Sequence, residues 1–140
     1  MTLQSIHLWQ AKARPHPTNR DLGTALGCHV EEFAELVESL HLGRRGNYVL
    51  QCLQDYATAL KRGEESVVIK DRKAFLDAIA DQVVTGVGVG YCAGMKTLSA
   101  IEEVNESNWT KLVNGEFQRD ENGKITKPDT YVKPDLEGLY

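Results

Sequence analysis

The sequence predicts an all-α protein, a helical bundle with paired carboxylates facing inward, followed by an extended C-terminal tail with a short hairpin. Three observations lead there. Apolar residues recur at three- and four-residue steps over several long segments. Prolines and capping residues fall between those segments, and Gly43 and Gly63 stand as stop signals. Pairs of acidic residues stand at spacings that place them on one side of a helix.

Residues 2–13 carry Leu3, Ile6, Leu8 and Trp9, a short amphipathic helix that Pro15 and Pro17 interrupt. Thr18 is the N-cap of the next helix, and Asp21 three residues later makes a short-armed capping box. That helix runs over about 19–42, with Leu22, Leu26, His29, Phe33, Leu36, Val37 and Leu40 on one stripe, and Gly43 as its stop. A third helix starts near Asn47 and reaches Arg62, with Val49, Leu50, Leu53, Tyr56, Ala57 and Leu60 as its apolar positions and Gly63 as its stop. Val67–Ile69 suits an extended segment. Asp71 caps a helix over 72–94, with Phe75, Leu76, Ile79, Val83, Val87 and Tyr91 inward. Ser99 and Glu102 form a capping box for a last helix that ends near Val113. The remainder, 114–140, is a Gly- and Pro-rich tail in which Asn122-Gly123 marks a tight hairpin turn. The expected organisation is one domain over 1–140, with a core over about 18–113 and a tail over 114–140.

A chain of 140 residues supports one domain with a modest core, so a carboxylate site in it would gain from oligomerisation. The net charge of −4 and the lack of a basic run argue against polymeric nucleic acid as partner, while free nucleotides need only a few local cations. No stretch has the length and apolarity of a membrane span, and the first residues lack an apolar leader, so a cytoplasmic protein is expected. Cys28, Cys52 and Cys92 are odd in number and far apart, which suits reduced, mostly buried thiols better than a disulfide framework or a zinc knuckle. Gly86-Val87-Gly88-Val89-Gly90 lacks the spacing of a nucleotide-binding loop and reads as small residues for close helix packing.

Two acidic clusters carry the chemistry. Glu31, Glu32 and Glu35 lie within one and a half turns of a helix, Glu32 at the rim of the apolar stripe. Desolvated carboxylates there are costly without a cation. Asp77 and Asp81 stand at i and i+4 of a later helix, where they repel each other, and Ala78 and Ala80 between them leave room for another helix. Mg²⁺, with Mn²⁺ as the substitute, is the hard cation that such oxygen donors suit, and it keeps waters for substrate phosphates. Ordinary solvated acidic faces are the simpler reading of each cluster taken alone.

The order Glu31-Glu32-x-x-Glu35 and then Asp77-x-x-x-Asp81 resembles the MazG-like all-α nucleoside triphosphate pyrophosphohydrolases. Asn105-Glu106-Ser107-Asn108-Trp109-Thr110-Lys111 looks like a tail segment of their phage-type members, and Gly123-Lys124-x-x-Lys127 with Tyr131 and Pro134-Asp135-Leu136 is similar to their closing segment. The resemblance runs from about Leu22 to Leu136. It departs from the family at Ala78, where a glutamate is usual, and in the roughly forty residues between the two clusters.

The resemblance implies metal-dependent hydrolysis of a nucleoside triphosphate to the monophosphate and pyrophosphate. It implies Glu31, Glu32, Glu35, Asp77 and Asp81 as metal ligands, with Glu31, Glu32 and Glu35 also catalytic and Glu31 a candidate general base. Asn105, Asn108, Lys111, Lys124, Lys127 and Tyr131 become candidate substrate contacts, the lysines for the outer phosphates. It also implies a homotetramer or homodimer with sites near subunit interfaces. Phage-type relatives act on dUTP, dCTP or dGTP, and dGTP in a phage-remodelled nucleotide pool is the favoured substrate on resemblance alone. The alternatives are another pyrophosphate substrate, such as a phosphoribosyl nucleotide, or a non-catalytic helical regulator. Trp9 and Trp109 suit packing better than base stacking, and His29 suits a core position.

Overall fold

A computed structural model describes residues 2–140. Five helices follow in order: α1 (Thr2–Ala13), α2 (Asn19–Glu38), α3 (Arg44–Arg62), α4 (Arg72–Cys92) and α5 (Thr97–Trp109); two short strands follow them, β1 (Leu112–Val113) and β2 (Glu116–Phe117). The chain is all-α apart from this small antiparallel ribbon. It divides into two units, one of residues 14–68 and 119–125, the other of residues 1–13, 69–118 and 126–140. Among the described residues no helix is long and apolar enough to cross a membrane.

The first unit is built on the α2–α3 hairpin. The Thr18 hydroxyl accepts the Asp21 N–H, and the Asp21 carboxylate accepts the Thr18 N–H at 2.8 Å, a reciprocal capping box that satisfies the start of α2. α2 ends at Glu38, four residues before its expected end near 42, and Gly43 is the N-cap of α3 instead. At the far end Gly63 takes φ +74°, where its N–H donates to the Ala59 and Leu60 carbonyls of α3. The Arg20 guanidinium adds to this by donating to the Leu60 carbonyl at 3.2 Å and to that of Lys61.

The buried face of α2 is not its apolar stripe. At about 100° per residue the Leu22–Phe33–Leu40 stripe lies opposite the buried residues Gly23, Thr24, Gly27 and Ala34. Phe33, Leu36 and Leu40 are exposed, and so is His29, which is not a core histidine. The reason is steric. α3 approaches α2 so closely that a methyl group at Gly27 would lie 3.0 Å from both the Ala57 carbonyl and the Lys61 nitrogen, and 2.7 Å from Lys61 Cγ. Only small side chains fit that seam, and Ala57 and Leu60 of α3 are buried against it.

In the second unit α1 packs beside α5. Trp9 is buried, lies 5.0 Å from the Phe117 ring and donates to the Asn108 carbonyl at 2.9 Å. Ser5 Oγ accepts from both Asn105 Nδ2 (2.9 Å) and Trp109 Nε1 (3.0 Å). α5 begins at Thr97, with Lys96 as a cap that offers no side-chain bond, so Ser99 lies inside the helix rather than capping it. The helix also stops before Val113. Leu112 and Val113 instead pair with Phe117 and Glu116 around Asn114-Gly115, both at positive φ (50° and 84°), the geometry of a tight hairpin turn.

Asp71 caps α4 by accepting from Lys73 and Ala74, yet α4 has no buried residue. Leu76, Ile79, Val83 and Tyr91, expected inward, are exposed. Gly86 and Gly88 face open space, while a methyl group at Gly90 would strike Thr97 of α5, 1.9 Å from its hydroxyl oxygen. Close packing therefore accounts for Gly90 and not for the other two. Cys28 is half-buried, and Cys52 and Cys92 are exposed free thiols rather than buried ones.

The seam predicts a sharp contrast. Gly27→Ala should force α2 and α3 apart and cost about 1–3 kcal/mol, whereas Gly88→Ala should be neutral or stabilise by up to about 1 kcal/mol. Urea denaturation of both variants checks this, and equal effects would mean that the seam does not limit the fold.

Candidate functional site

Glu31 sits at the middle of the α2 face that meets α3, one turn beyond Gly27. Its carboxylate is bridged: Lys61 of α3 donates to Oε1 at 2.5 Å, and Lys124 of the 119–125 turn donates to Oε2 at 2.7 Å. The turn is held from a second side by the Thr24 hydroxyl, which lies 3.1 Å from the Asn122 carbonyl. The turn is a small hairpin. Arg119 pairs with Ile125, Gly123 takes φ +78°, and Asp120 Oδ1 accepts the N–H groups of Asn122 and Lys124.

Burial would raise the Glu31 pKa, but hydrogen bonds and charge from Lys124 and Lys61 outweigh it and hold the carboxyl below its ordinary value. Burial likewise works against the Lys124 ammonium, and the bond to Glu31 overcomes it and raises Lys124. For Cys28 on the same face, burial dominates and pushes the thiol up, which keeps it protonated and poorly nucleophilic.

Two clefts flank this ion pair within the same unit. One, of about 470 Å³, is lined by Glu31, Glu35 and Glu38 of α2 with Gln54, Thr58 and Lys61 of α3. The other, of about 610 Å³, is lined by Thr58, Lys61 and Arg62 with Asp120, Asn122 and Lys124. Thr58 and Lys61 belong to both. The first cleft thus presents carboxylates and the second cations.

The residues expected from the sequence divide between the two units. Glu31, Glu32, Glu35 and Lys124 lie in the first. Glu31 is committed to two lysines, and Glu32 and Glu35 are exposed. Asp77 and Asp81 lie in the second unit on exposed positions of α4, as does Ala78 between them. Among the described residues no three His, Cys, Asp or Glu side chains stand together as a metal site.

Asn105, Asn108, Lys111, Lys127 and Tyr131 also lie in the second unit, gathered around the returning tail. Lys111 donates to Asn108 Oδ1 at 2.7 Å and lies over the Trp9 and Tyr131 rings, and Lys127 lies 5.2 Å from the Tyr131 ring centre. Ser107, buried, donates to the Val132 carbonyl at 2.7 Å and lies 3.0 Å from the Tyr131 hydroxyl. These groups fasten the tail to α5. Sequence reasoning did not find Lys61, Arg62 or Glu38. A lysine on the inward face of α3, one turn past Ala57, was the available signal for the first of them.

The chain matches no family model, and no curated protein or solved structure proved significantly similar to it.

The ion pair carries a pH signature. Glu31 is depressed, so its contribution is full above its ordinary value of about 4.5 and is lost as pH falls through the lower folded value. Lys124 is raised, so its contribution is full below about 10.5 and is lost as pH rises through the higher folded value. Glu31→Gln should therefore melt below wild type near neutral pH, and the gap should narrow at more acid pH. A gap that stays constant down to pH ~3 would exclude this carboxylate as its source.

Proposed function

We propose that the chain is a metal-dependent nucleoside triphosphate pyrophosphohydrolase of the MazG-like kind, releasing pyrophosphate from a deoxynucleotide, with dGTP as the favoured substrate. The observation that carries this reading is the pair of adjoining clefts on one helical hairpin, one acidic and one basic, sharing Thr58 and Lys61. A triphosphate with its counter-cation needs both kinds of wall side by side.

The donor chemistry suits Mg²⁺ or Mn²⁺, since the candidate ligands are all carboxylates. Glu32 and Glu35 are the side chains of the first unit proposed to hold it, with Glu31 joining when its lysines turn to phosphate; Asp77 and Asp81, on α4 of the other unit, are ligands that the resemblance alone implies. The ion, when bound, supplies charge neutralisation and a more acidic water. The chain's own part is positional. Glu31, kept ionised by its two lysines, is a weak base while they hold it, and its proton affinity rises as they leave.

Assembly completes the proposal. The exposed residues Leu76, Ile79 and Val83 of α4, and separately Phe33 and Leu36 of α2, are apolar surface of the kind that marks an interface. A second copy covering them would desolvate Glu32 and Asp77 at their rims, the condition under which a divalent cation is most needed. A homodimer or homotetramer follows. The non-catalytic regulator stays as the second reading, because no three potential metal ligands converge among the described residues.

Three measurements test this. In a panel of nucleoside triphosphates with Mg²⁺, the products should be monophosphate and pyrophosphate, and turnover should stop in excess chelator. Glu35→Gln should lower kcat at least about a hundredfold with its melting temperature maintained. Orthophosphate as first product, or a folded Glu35→Gln protein with full turnover, would put the regulator reading first. Val83→Lys should shift the species seen by analytical ultracentrifugation towards monomer, and an unchanged mass would remove the α4 stripe from the interface.

A further inference from the structure

We infer that the cleft between the last turns of α3 and the 119–125 turn is a binding site for a chain of linked phosphates, held by Lys61, Arg62 and Lys124. It deepens the hydrolase reading by naming which cations take the phosphates, and it is tested without turnover.

The charges decide it. Lys61, Arg62 and Lys124 line the cleft, and Asp120 is its one lining carboxylate. Asp120 is turned into its own hairpin, accepting the N–H groups of Asn122 at 2.9 Å and Lys124 at 3.0 Å. Lys61 and Lys124 share a single carboxylate, Glu31, so two positive charges face one negative. Arg62 has only a loose contact with exposed Glu64, at 3.9 Å. The cleft therefore carries surplus positive charge on a protein whose net charge is −4.

A helix C-terminus normally repels anions, because its last carbonyls are unsatisfied. Here three of those carbonyls are already answered: Arg20 donates to Leu60 and Lys61, and the Gly63 cap N–H points to Ala59 and Leu60. Asn122 and Thr58 add polar groups beside the cations that line the cleft.

The Glu31 carboxylate also shows the mode of binding. It spans two ammonium groups with one oxygen each, as two oxygens of a phosphate would. A phosphate entering the cleft takes over these donors and frees Glu31 towards the acidic cleft that it also lines. The cations lie on two elements, Lys61 and Arg62 on α3 and Lys124 on the turn, so a chain of linked phosphates offers oxygens to both. By contrast, Lys111 and Lys127 are occupied by aromatic rings and Asn108.

The probe is inorganic tripolyphosphate, titrated calorimetrically at low ionic strength without divalent ions. Wild type should bind it, and Arg62→Gln and Lys124→Gln should each weaken binding roughly tenfold. Glu31→Gln should tighten it, because the competing anion is gone. Arg45→Gln, which removes an exposed cation elsewhere on α3, should leave it unchanged. Arg62 is exposed, so its variant keeps the fold and the test stands even if the Lys124 variant loosens the turn. Unchanged binding in Arg62→Gln, or an equal loss in Arg45→Gln, would overturn the site. Tripolyphosphate binding with these dependences but no nucleotide hydrolysis would leave the site standing and remove the hydrolase reading. Hydrolysis with an unchanged KM in Arg62→Gln would do the reverse.

Discussion

The close approach of α2 and α3 at Gly27 is the constraint from which the first unit takes its form. The α3 backbone at Ala57 and Lys61 lies against Gly27, and the Lys61 side chain passes over that glycine, its Cγ filling the space a methyl group would need. It runs up the seam to Glu31, one turn on. A bulkier residue at position 27 would move the origin of that side chain, and the ammonium with it. The ion pair is thus a consequence of backbone packing, and the two clefts that share Lys61 are a consequence of the ion pair.

Electrostatics then sets what each carboxylate can do. A half-buried glutamate would ordinarily drift towards neutrality, but two ammonium groups reverse that and keep Glu31 ionised. The same two groups make it a poor ligand for a second cation while they remain. Glu35 and Glu38 line the neighbouring cleft without such partners among the described residues, and, being exposed, are more accessible oxygen donors than half-buried Glu31. Burial and availability run in opposite directions along this face.

Helix positions were legible because their signals are local. Thr18 with Asp21, Asp71 and Gly63 act through bonds to residues within five positions, and each does what its type and spacing suggest. The buried face of α2 was not legible from hydropathy. Gly23, Thr24, Gly27 and Ala34 rank low as apolar residues, and their value lies in how little space they take. Asn114-Gly115 was overlooked because two-residue strands have no periodicity to read, although the turn residues themselves were present. At the site, Glu31 stood out as one of an acidic cluster, but its partners lie 30 and 93 residues away, separations that no spacing rule covers.

α4 shows where the single chain stops being a sufficient description. It has 21 residues, a good cap and no buried side chain, and two of its glycines face open space. Glycine in a helix interior costs about 1 kcal/mol relative to alanine, and most helical stability in proteins comes from packing of a face rather than from propensity. A helix with those liabilities draws its stability from a packed face, and the contact of Gly90 with Thr97 at one end supplies little of that. The apolar stripe through Leu76, Ile79 and Val83 is the face available to be covered. If a second copy covers it, folding and association become one equilibrium, and helix content should rise with protein concentration rather than stay fixed.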